Sequence, residues 1–293
     1  MTVASGTNTQ NIGSLLQEST TYRGRIAPSP TGFLHLGHAR TFWIAKERVR
    51  AAHGILVLRD EDLDRPRVRA EFVQGFIEDL KWFGITWDEG PDVGGPLAPY
   101  RQSARIETYR AEFERLRASG VVFPCTCSRQ DVLRALQAPH QGEEEPIYPG
   151  SCREKRLGDI PPQTKISWRL RVPDGKAISF MDLNFGAQQF TAGRDFGDFI
   201  VWRHDNFPSY QLACVVDDHA MQITEVVRGE DLLVSTARQL LLYRALGWTA
   251  PDFYHCPLMR DEQGVRLAKR HEALSLRALR VAGAQPAELR KRW

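Results

Sequence analysis

The residues of this chain that are best suited to chemistry lie in one short turn rich in proline and glycine. The segment reads Arg25-Ile-Ala-Pro-Ser-Pro-Thr-Gly-Phe-Leu-His-Leu-Gly-His38. His35 and His38 are three positions apart, so on a helix their side chains point the same way. Gly32 and Gly37 leave the backbone open to a ligand, and the N–H groups that begin a helix attract anions. The turn therefore predicts a phosphate site, in which two imidazoles donate to oxygens as negative charge develops.

The spelling of this segment resembles the HIGH motif of class I aminoacyl-tRNA synthetases, in the glutamyl form PSPTGxLHxGH. The resemblance implies an enzyme that uses ATP and Mg²⁺ to convert an amino acid into an aminoacyl-adenylate. It also implies catalytic roles for His35 and His38, and contacts of Gly37 and His38 with ATP. The alternative is a turn that caps an ordinary helix and carries two surface histidines.

A second stretch, Arg266-Leu-Ala-Lys-Arg270, resembles a divergent form of the KMSKS loop of the same family. A cation at this position can stabilise the triphosphate as pyrophosphate leaves. The resemblance makes Lys269 catalytic and places Arg266 and Lys269 on ATP. Arg266 replaces the first lysine of the motif, while Ala268 and Arg270 replace its serines, so the charge survives and the hydroxyls do not. A solvated basic stretch is the alternative.

An amino-acid pocket is predicted from charge. A glutamate substrate needs a cation for its side-chain carboxylate, and a bidentate arginine is the strongest such partner. Arg25 stands directly before the turn, and Glu61 lies in an acidic loop where the family holds the ammonium group of the substrate. Asp60, Asp62 and Asp64 compete with Glu61 for this role. The full set that the resemblance implies for glutamate is Arg25, Ile26, Ala27, Pro28, Ser29, Glu61, Tyr210 and Arg228.

Three cysteines and a tyrosine form a candidate metal site. Cys125 and Cys127 are followed by Tyr148 and Cys152. Three thiolates and one further ligand complete the tetrahedron that zinc prefers. His140 stands at a workable spacing for the fourth position, but the order Tyr-x-x-x-Cys resembles the zinc knot of one synthetase subgroup, which implies Tyr148. Zinc bound here would be structural, and three unliganded thiols are the alternative.

The elements that position these residues follow an α/β order. The apolar run at 55–58 predicts a buried strand that leads into the acidic loop, and apolar spacing predicts helices over about 68–83 and 103–119. Ser235 or Thr236 is expected to cap a later helix. We therefore predict a Rossmann-like, doubly wound parallel sheet of the class I synthetase type, with its ligands at the carboxyl ends of the strands.

The predicted organisation is a catalytic domain interrupted by an insertion, because the α/β pattern breaks where a strand leads into the first two cysteines. A short helical segment is expected at the C-terminal end. The predicted parts are a disordered extension at 1–20, a first catalytic half at 21–120, a zinc-binding insertion at 121–195, a second catalytic half at 196–247, and the KMSKS-like loop with a truncated helical stem at 248–293.

Composition narrows the function only slightly. The 293 residues carry a net charge of +3, with 39 Lys and Arg against 36 Asp and Glu, which neither indicates nor excludes a partner such as RNA. There is no run of 18 apolar residues, so no membrane span is expected. Residues 1–20 lack a basic start and an apolar region, so no secretory signal is expected either. The odd count of five cysteines favours reduced thiols in the cytoplasm.

The C-terminal end points to one subgroup of the family. The chain stops 23 residues after Arg270, without the anticodon-binding region of full-length glutamyl-tRNA synthetases. With the Tyr148 knot, this resembles the glutamyl-queuosine tRNA(Asp) synthetases. That resemblance implies an enzyme that transfers L-glutamate to queuosine at the wobble position of the tRNA(Asp) anticodon. A monomer is expected, because nothing in the sequence suggests an obligate dimer. A truncated glutamyl-tRNA synthetase that charges the acceptor end, and an inactive paralogue that binds tRNA, are the alternatives.

Overall fold

The computed structural model describes residues 21–128, 130–131, 147–259, 275–291 and 293. The predicted extension at 1–20 lies outside these ranges. So do His140 and the two cations of the KMSKS-like stretch, Arg266 and Lys269.

In the described part of the chain, the main sheet has six strands, and five of them run parallel. They are β1 (Arg23–Ile26), β2 (Ile55–Leu58), β5 (Ala177–Asp182), β6 (Gly186–Thr191), β8 (Glu225–Gly229) and β9 (Asp252–Cys256), in the spatial order β2-β1-β8-β9-β5-β6. Only β6 is antiparallel, because it returns from β5 as a hairpin. The predicted parallel α/β sheet is confirmed, and the carboxyl ends of its strands meet at one edge.

Among the described residues, five longer helices and two short ones accompany the strands. They are α1 (Leu36–Ala51), α2 (Ala70–Phe83), α3 (Ile106–Ala118), α4 (Tyr210–Ala220), α5 (Leu233–Leu246), α6 (Leu276–Val281) and α7 (Pro286–Arg290). The helices predicted near 68–83 and 103–119 are confirmed to within a few residues. Within the described ranges, no helix is both long and apolar enough to cross a membrane.

The predicted cap of α5 is wrong. Ser235 and Thr236 lie inside this helix and are buried, because a one-turn 3-10 helix at Glu230–Leu232 already begins the helical path. The Thr236 hydroxyl donates to the carbonyl of Leu232, 3.2 Å away, within its own helix. A hydroxyl residue before an apolar run is therefore not sufficient to locate a cap.

Apolar side chains cover both faces of the main sheet. Leu56 and Leu58 of β2 pack with α1 and α2 on one face, while Val57 between them joins a second cluster on the other face. This alternation is what a strand buried on both sides requires. A third cluster gathers α3, α4 and α5, with Phe113 stacked on Trp202 at 4.9 Å between ring centroids. The sheet is thus doubly wound and rigid enough to position a site.

The insertion interleaves with the main sheet. A small antiparallel sheet has the order β3-β4-β7, from β3 (Val122–Cys125), β4 (Ser167–Leu170) and β7 (Phe199–Trp202). Strands β5 and β6 lie within the predicted insertion at 121–195 but belong to the main sheet, while β7 lies in the predicted second catalytic half but pairs with β4. The sequence boundaries differ from this arrangement because local composition does not tell which distant strand will be a partner.

Candidate active site

The histidine turn begins helix α1. His35 is the N-cap residue, and its Nδ1 accepts a hydrogen bond from the Gly37 N–H at 3.1 Å. The Nδ1 of His38 accepts from the His35 N–H at 3.2 Å, and the two rings lie 3.7 Å apart. Because each Nδ1 is an acceptor, the neutral rings carry their proton on Nε2, the donor that a phosphate oxygen requires. A Cβ on Gly37 would come within 3.0 Å of the His35 ring, so glycine allows this arrangement.

One cavity of about 330 Å³ unites most of the predicted residues. Its wall includes Arg25, Ala27, Pro28, Ser29, His35, Gly37, His38, Glu61, Tyr210 and Arg228. Ile26 is the exception: its side chain is fully buried in the core on one face of the sheet and does not line the cavity. The reason is the alternation of a strand, which turns each residue away from the side of its neighbours. The Ile26 carbonyl accepts from the Arg59 N–H instead.

The structure separates Glu61 from its acidic neighbours. Asp60 accepts from the Arg101 Nε at 3.1 Å, and Asp62 accepts from the backbone and hydroxyl of Ser103. Asp64 lies at the surface, paired with a residue three positions later. Glu61 is the acidic residue of this loop that lines the cavity, which favours it as the partner of a substrate ammonium group.

A buried arginine holds Glu61 in place. Arg59 is fully buried, and its Nη2 donates to Glu61 Oε1 at 2.9 Å while its Nη1 donates to Asp218 Oδ1 at 2.6 Å. Burial raises the pKa of the Glu61 carboxyl, although Arg59 and Arg25 oppose the shift. Burial would also raise the pKa of Asp218, but there the same two arginines prevail and the pKa is lowered. A cationic ligand beside Glu61 would favour its charged form.

The sequence reasoning missed this supporting layer. Asp217, next to Asp218 in α4, accepts from Arg105 Nε at 2.6 Å and from the Tyr109 hydroxyl at 2.9 Å. Both aspartates are buried. The available signal was a pair of acidic residues at the end of an apolar helical run, since buried carboxylates are rare unless they are paired.

Arg25 reaches the cavity from β1. Its Nη1 donates to the Val227 carbonyl at 2.8 Å, and its Nε lies 3.5 Å from Asp218 Oδ1. Its side chain is only 5% exposed, so the charge is held in place by the protein and not by water. A buried guanidinium that lines a cavity is suited to an anionic ligand.

Arg228 approaches the same cavity from β8. Its Nη1 donates to Gln239 Oε1 at 2.8 Å and its Nη2 donates to Thr236 Oγ1 at 2.7 Å. Tyr210 begins α4 beside it and keeps 41% of its surface exposed, as expected of a side chain at the rim of a cavity. The predicted arginines thus converge, with a tyrosine at the entrance.

The segment that precedes α6 returns to the histidine turn. Met259, the last described residue before the KMSKS-like stretch, lines the cavity. On the other side of the stretch, Ser275 forms a β-bridge with His35, and the Leu276 N–H donates to the Leu34 carbonyl at 2.7 Å. Both flanks of the stretch that contains Arg266 and Lys269 therefore contact the histidine turn or the cavity.

The three predicted cysteines form a separate cluster. The sulfurs of Cys125, Cys127 and Cys152 all lie within 4.8 Å of one another, and Cys127 Sγ is 3.5 Å from Cys152 Sγ. The Tyr148 hydroxyl lies 3.5 Å from Cys125 Sγ and 3.7 Å from Cys127 Sγ. Zinc bonded at about 2.3 Å to sulfur in a tetrahedron separates its sulfurs by roughly 3.8 Å. The residues present therefore fit such an ion.

The fold and this site define the class of protein. Residues 21–290 match the family model of the catalytic domain of class I tRNA synthetases specific for E and Q. The chain belongs to this family. The histidine turn begins α1 and lies at the carboxyl ends of the parallel strands, which agrees with the fold that this membership implies.

The chain is also similar to proteins of a narrower group within this family. The chain is 49% identical to the glutamyl-Q tRNA(Asp) synthetase of Symbiobacterium thermophilum, over 90% of this chain and 82% of that protein. It is 46% identical to the glutamyl-Q tRNA(Asp) synthetase of Nitratidesulfovibrio vulgaris, over 91% of this chain and 83% of that protein.

Similarity also extends to glutamate–tRNA ligases. The glutamate–tRNA ligase 2 of Nitrosococcus oceani is 41% identical over 92% of this chain, which spans only 58% of that protein. The crystal structure of a glutamate tRNA ligase from Elizabethkingia meningosepticum in complex with its amino acid superimposes with a TM-score of 0.75 at 32% identity. It is covered over 52% of its length by 85% of this chain.

Proposed function

We propose that this chain activates L-glutamate with ATP and transfers it to queuosine at the wobble position of the tRNA(Asp) anticodon. The observation that carries the proposal is the single cavity in which the histidine turn, Arg25, Arg228 and Glu61 meet. Such a cavity offers a phosphate site, cations for an acidic side chain and an anion for an amino group. The two glutamyl-Q tRNA(Asp) synthetases, matched over more than four fifths of their length, support the choice of acceptor.

The charges of the cavity favour glutamate over glutamine. Arg25 and Arg228 are buried, so a neutral amide beside them would leave part of their charge uncompensated. A carboxylate can accept two parallel hydrogen bonds from one guanidinium. Glu61, held by Arg59, then accepts from the α-ammonium group at the other end of the substrate.

The first step forms glutamyl-adenylate. An oxygen of the glutamate α-carboxylate attacks the α-phosphorus of ATP, and the bond to the pyrophosphate oxygen breaks. His35 and His38 donate from Nε2 to phosphate oxygens, and Lys269 with Arg266 stabilises the departing pyrophosphate together with Mg²⁺ bound to ATP. Positioning and electrostatics can account for such phosphorus chemistry without a covalent protein intermediate.

The second step transfers the acyl group. A hydroxyl of the queuosine ring attacks the carbonyl carbon of the adenylate, the mixed anhydride bond breaks, and AMP leaves with the bonding electrons. The hydroxyl proton passes to a base. A phosphate oxygen of the substrate is chemically suited to accept it, since none of the described cavity side chains is assigned this role.

Zinc held by Cys125, Cys127, Tyr148 and Cys152 belongs to the same proposal as a structural ion. Tyr148 is the fourth ligand because its hydroxyl already lies on the sulfur cluster and accepts from the Cys152 N–H at 2.8 Å. When bound, such an ion would cross-link the chain and supply no catalytic chemistry, since none of these four residues lines the cavity.

Cytoplasmic location and a monomeric state complete the proposal. All five cysteines are free thiols, which suits a reducing compartment. Analytical ultracentrifugation of the purified chain would test the monomer, with a mass near 33 kDa as the expected result.

The decisive experiment measures transfer of labelled glutamate to tRNA(Asp) with and without queuosine. Transfer that requires queuosine supports the proposal. Equal transfer to both tRNAs would instead indicate acylation of the acceptor end, as the similarity to glutamate–tRNA ligases allows. An inactive tRNA-binding protein would show no glutamate-dependent exchange of pyrophosphate into ATP, and that outcome would exclude the enzyme altogether.

A further inference from the structure

Arg228 is connected to two buried residues that lie outside the cavity. Its Nε lies 3.2 Å from Nε2 of His255, a fully buried residue of β9. On its other side, His255 Nδ1 lies 2.6 Å from Asp182 Oδ2, at the end of β5. Neither His255 nor Asp182 lines the cavity. Three neighbouring strands of the main sheet therefore contribute to one chain of hydrogen bonds that ends at a pocket arginine.

The partners of His255 determine where its proton lies. An ionised Asp182 carboxylate can only accept a hydrogen bond, so it requires a proton on Nδ1. The guanidinium of Arg228 can only donate, so it requires a lone pair on Nε2. The ring is therefore the neutral tautomer with its proton on Nδ1. Burial, reinforced by the charge of Arg228, lowers the pKa of His255 to about 4, although Asp182 opposes the shift. The Thr236 hydroxyl, 3.1 Å from Nε2, is compatible with this tautomer because it can rotate its proton toward Nε2 as well as toward the Leu232 carbonyl.

Asp182 is itself tightly held. Its Oδ1 accepts from the backbone N–H groups of Asn184 and Phe185 at 3.0 and 2.8 Å, and its Oδ2 accepts from the His255 N–H at 3.1 Å. The turn of the β5–β6 hairpin thus fixes the carboxylate, which fixes the imidazole ring. The hydrogen bonds along this chain fix the tautomer, because a proton on Nε2 would place two acceptors together at Asp182 and two donors together at Arg228.

The same contacts limit what Arg228 can do. Gln239, Thr236 and His255 take three of its five N–H groups, and no further hydrogen bond of Arg228 is present in the described part of the chain. Two N–H groups, one on each Nη atom, are therefore left for a ligand in the cavity. That is the number a carboxylate uses in a bidentate pair.

We propose that Asp182 and His255 are positioning residues that orient Arg228 toward the side-chain carboxylate of glutamate. The inference rests on the proposed function, in which this arginine binds glutamate. It adds a role for the hairpin strand β5, which supplies the outermost member of the chain.

The test substitutes Asp182→Asn, which keeps the shape and removes the charge. An asparagine NH₂ facing His255 would act as a donor, so the ring would carry its proton on Nε2 and oppose Arg228 Nε. We expect the KM for glutamate in pyrophosphate exchange to rise roughly 5- to 150-fold, the range for an unpaired buried donor. The KM for ATP should stay unchanged. Asp195→Asn, which alters a partly exposed aspartate after the same hairpin, is the matched control and should leave both values unchanged.

A second pair of variants keeps the test decisive if Asp182→Asn does not fold. His255→Leu removes the acceptor and should raise the glutamate KM as Asp182→Asn does. His255→Gln supplies an amide oxygen to Arg228 and an NH₂ to Asp182, so it should restore most of the binding. Equal glutamate KM values for the Leu and Gln variants would overturn the proposal.

A spectroscopic measurement reports the mechanism directly. Nitrogen-15 NMR of histidine-labelled protein should show one ring, absent in His255→Gln, with its proton on Nδ1 in the wild type and on Nε2 in Asp182→Asn. An unchanged tautomer with a changed KM would indicate a structural effect and would contradict the positioning role. If the wild type itself shows no glutamate-dependent exchange, the proposed function fails; if the wild type is active and the variants match it, only the positioning role fails.

Discussion

The cavity and the cysteine cluster bury polar side chains in opposite ways. At the cavity, Arg59 lies between Glu61 and Asp218, and each charge has a partner from the protein itself. At the cluster, Cys125, Cys127 and Cys152 converge with few apolar neighbours among the described residues, where Phe123 and Tyr148 complete the buried group. Protein charges that pair with one another need no ligand to remain in place, whereas three thiols brought together are arranged for an ion.

The cavity and the cluster also differ in the size of the structure that surrounds each of them. The cavity sits on a six-stranded sheet with apolar clusters on both faces. The cluster lies where Cys125 ends β3, the first strand of a three-stranded antiparallel sheet. Small units of this kind often depend on a metal for stability, because their apolar core is limited. Four substitutions test the contrast, from the largest expected effect to the smallest.

Arg59→Met should have the largest effect, because it leaves Glu61 and Asp218 buried without their cation. We expect a loss of about 3–5 kcal/mol in the free energy of unfolding, measured by urea denaturation. Arg67→Ala is the control, since the Arg67 side chain is 70% exposed and its surface ion pair should contribute less than about 1 kcal/mol. A similar small loss for both variants would show that the charges around Arg59 do not stabilise the fold.

Lys269→Ala tests the chemistry of the cavity and not its scaffold. We expect the rate of glutamate-dependent pyrophosphate exchange to fall roughly 10²- to 10³-fold, because one charge-stabilising group is lost. The free energy of unfolding should not change. Lys291→Ala removes an exposed lysine of the C-terminal segment and should keep the full rate. A wild-type rate for Lys269→Ala would eliminate this residue from catalysis.

Cys127→Ser tests the metal dependence of the cluster. We expect the wild type to bind one zinc per chain and to lose melting temperature when a chelator is added. The variant should contain no stoichiometric zinc and should melt at one temperature with or without chelator. Cys256→Ser changes a buried thiol outside the cluster and should keep the metal. Retention of zinc by Cys127→Ser would remove this residue from the set of ligands.

Asp60→Asn should have the smallest effect, and the effect should depend on pH. Burial, then the charge of Asp62, raises the pKa of Asp60 from 3.8 to about 6. The folded chain thus binds this proton more tightly than the unfolded chain. The free energy of unfolding therefore falls as the pH rises from about 4 to about 6 and Asp60 becomes ionised. Asparagine does not titrate, and the variant should gain roughly 1–3 kcal/mol relative to the wild type between pH 4 and pH 7.5.

Urea denaturation of both proteins at the two pH values measures this difference. The control is Ser179→Ala, which alters an exposed side chain without a titratable group and should show the same offset from the wild type at either pH. An Asp60→Asn offset that is also independent of pH would mean that the buried carboxyl keeps an ordinary pKa.

Much of the cavity was predictable because its residues lie in continuous motifs. Ten of the predicted side chains around Arg25, the histidine turn and Arg228 line the same cavity. Ile26 was included only because it belongs to the motif, and the alternation of the strand turns it into the core. Glu61 lines the cavity, whereas Asp60 and Asp62 bond to Arg101 and Ser103, which lie far away in the sequence.

The sequence by itself determined which residues are suited to chemistry: a turn suited to phosphate, arginines available for a carboxylate, and thiols that can share an ion. These properties depend on residue types at short spacing, which a chain displays without being folded. Only the tertiary structure decided that β5 joins the main sheet, and that Asp182 thereby meets His255 across 73 positions of the chain. Strand pairing between distant segments depends on the whole fold, so a local sequence pattern cannot predict the contacts that this pairing creates.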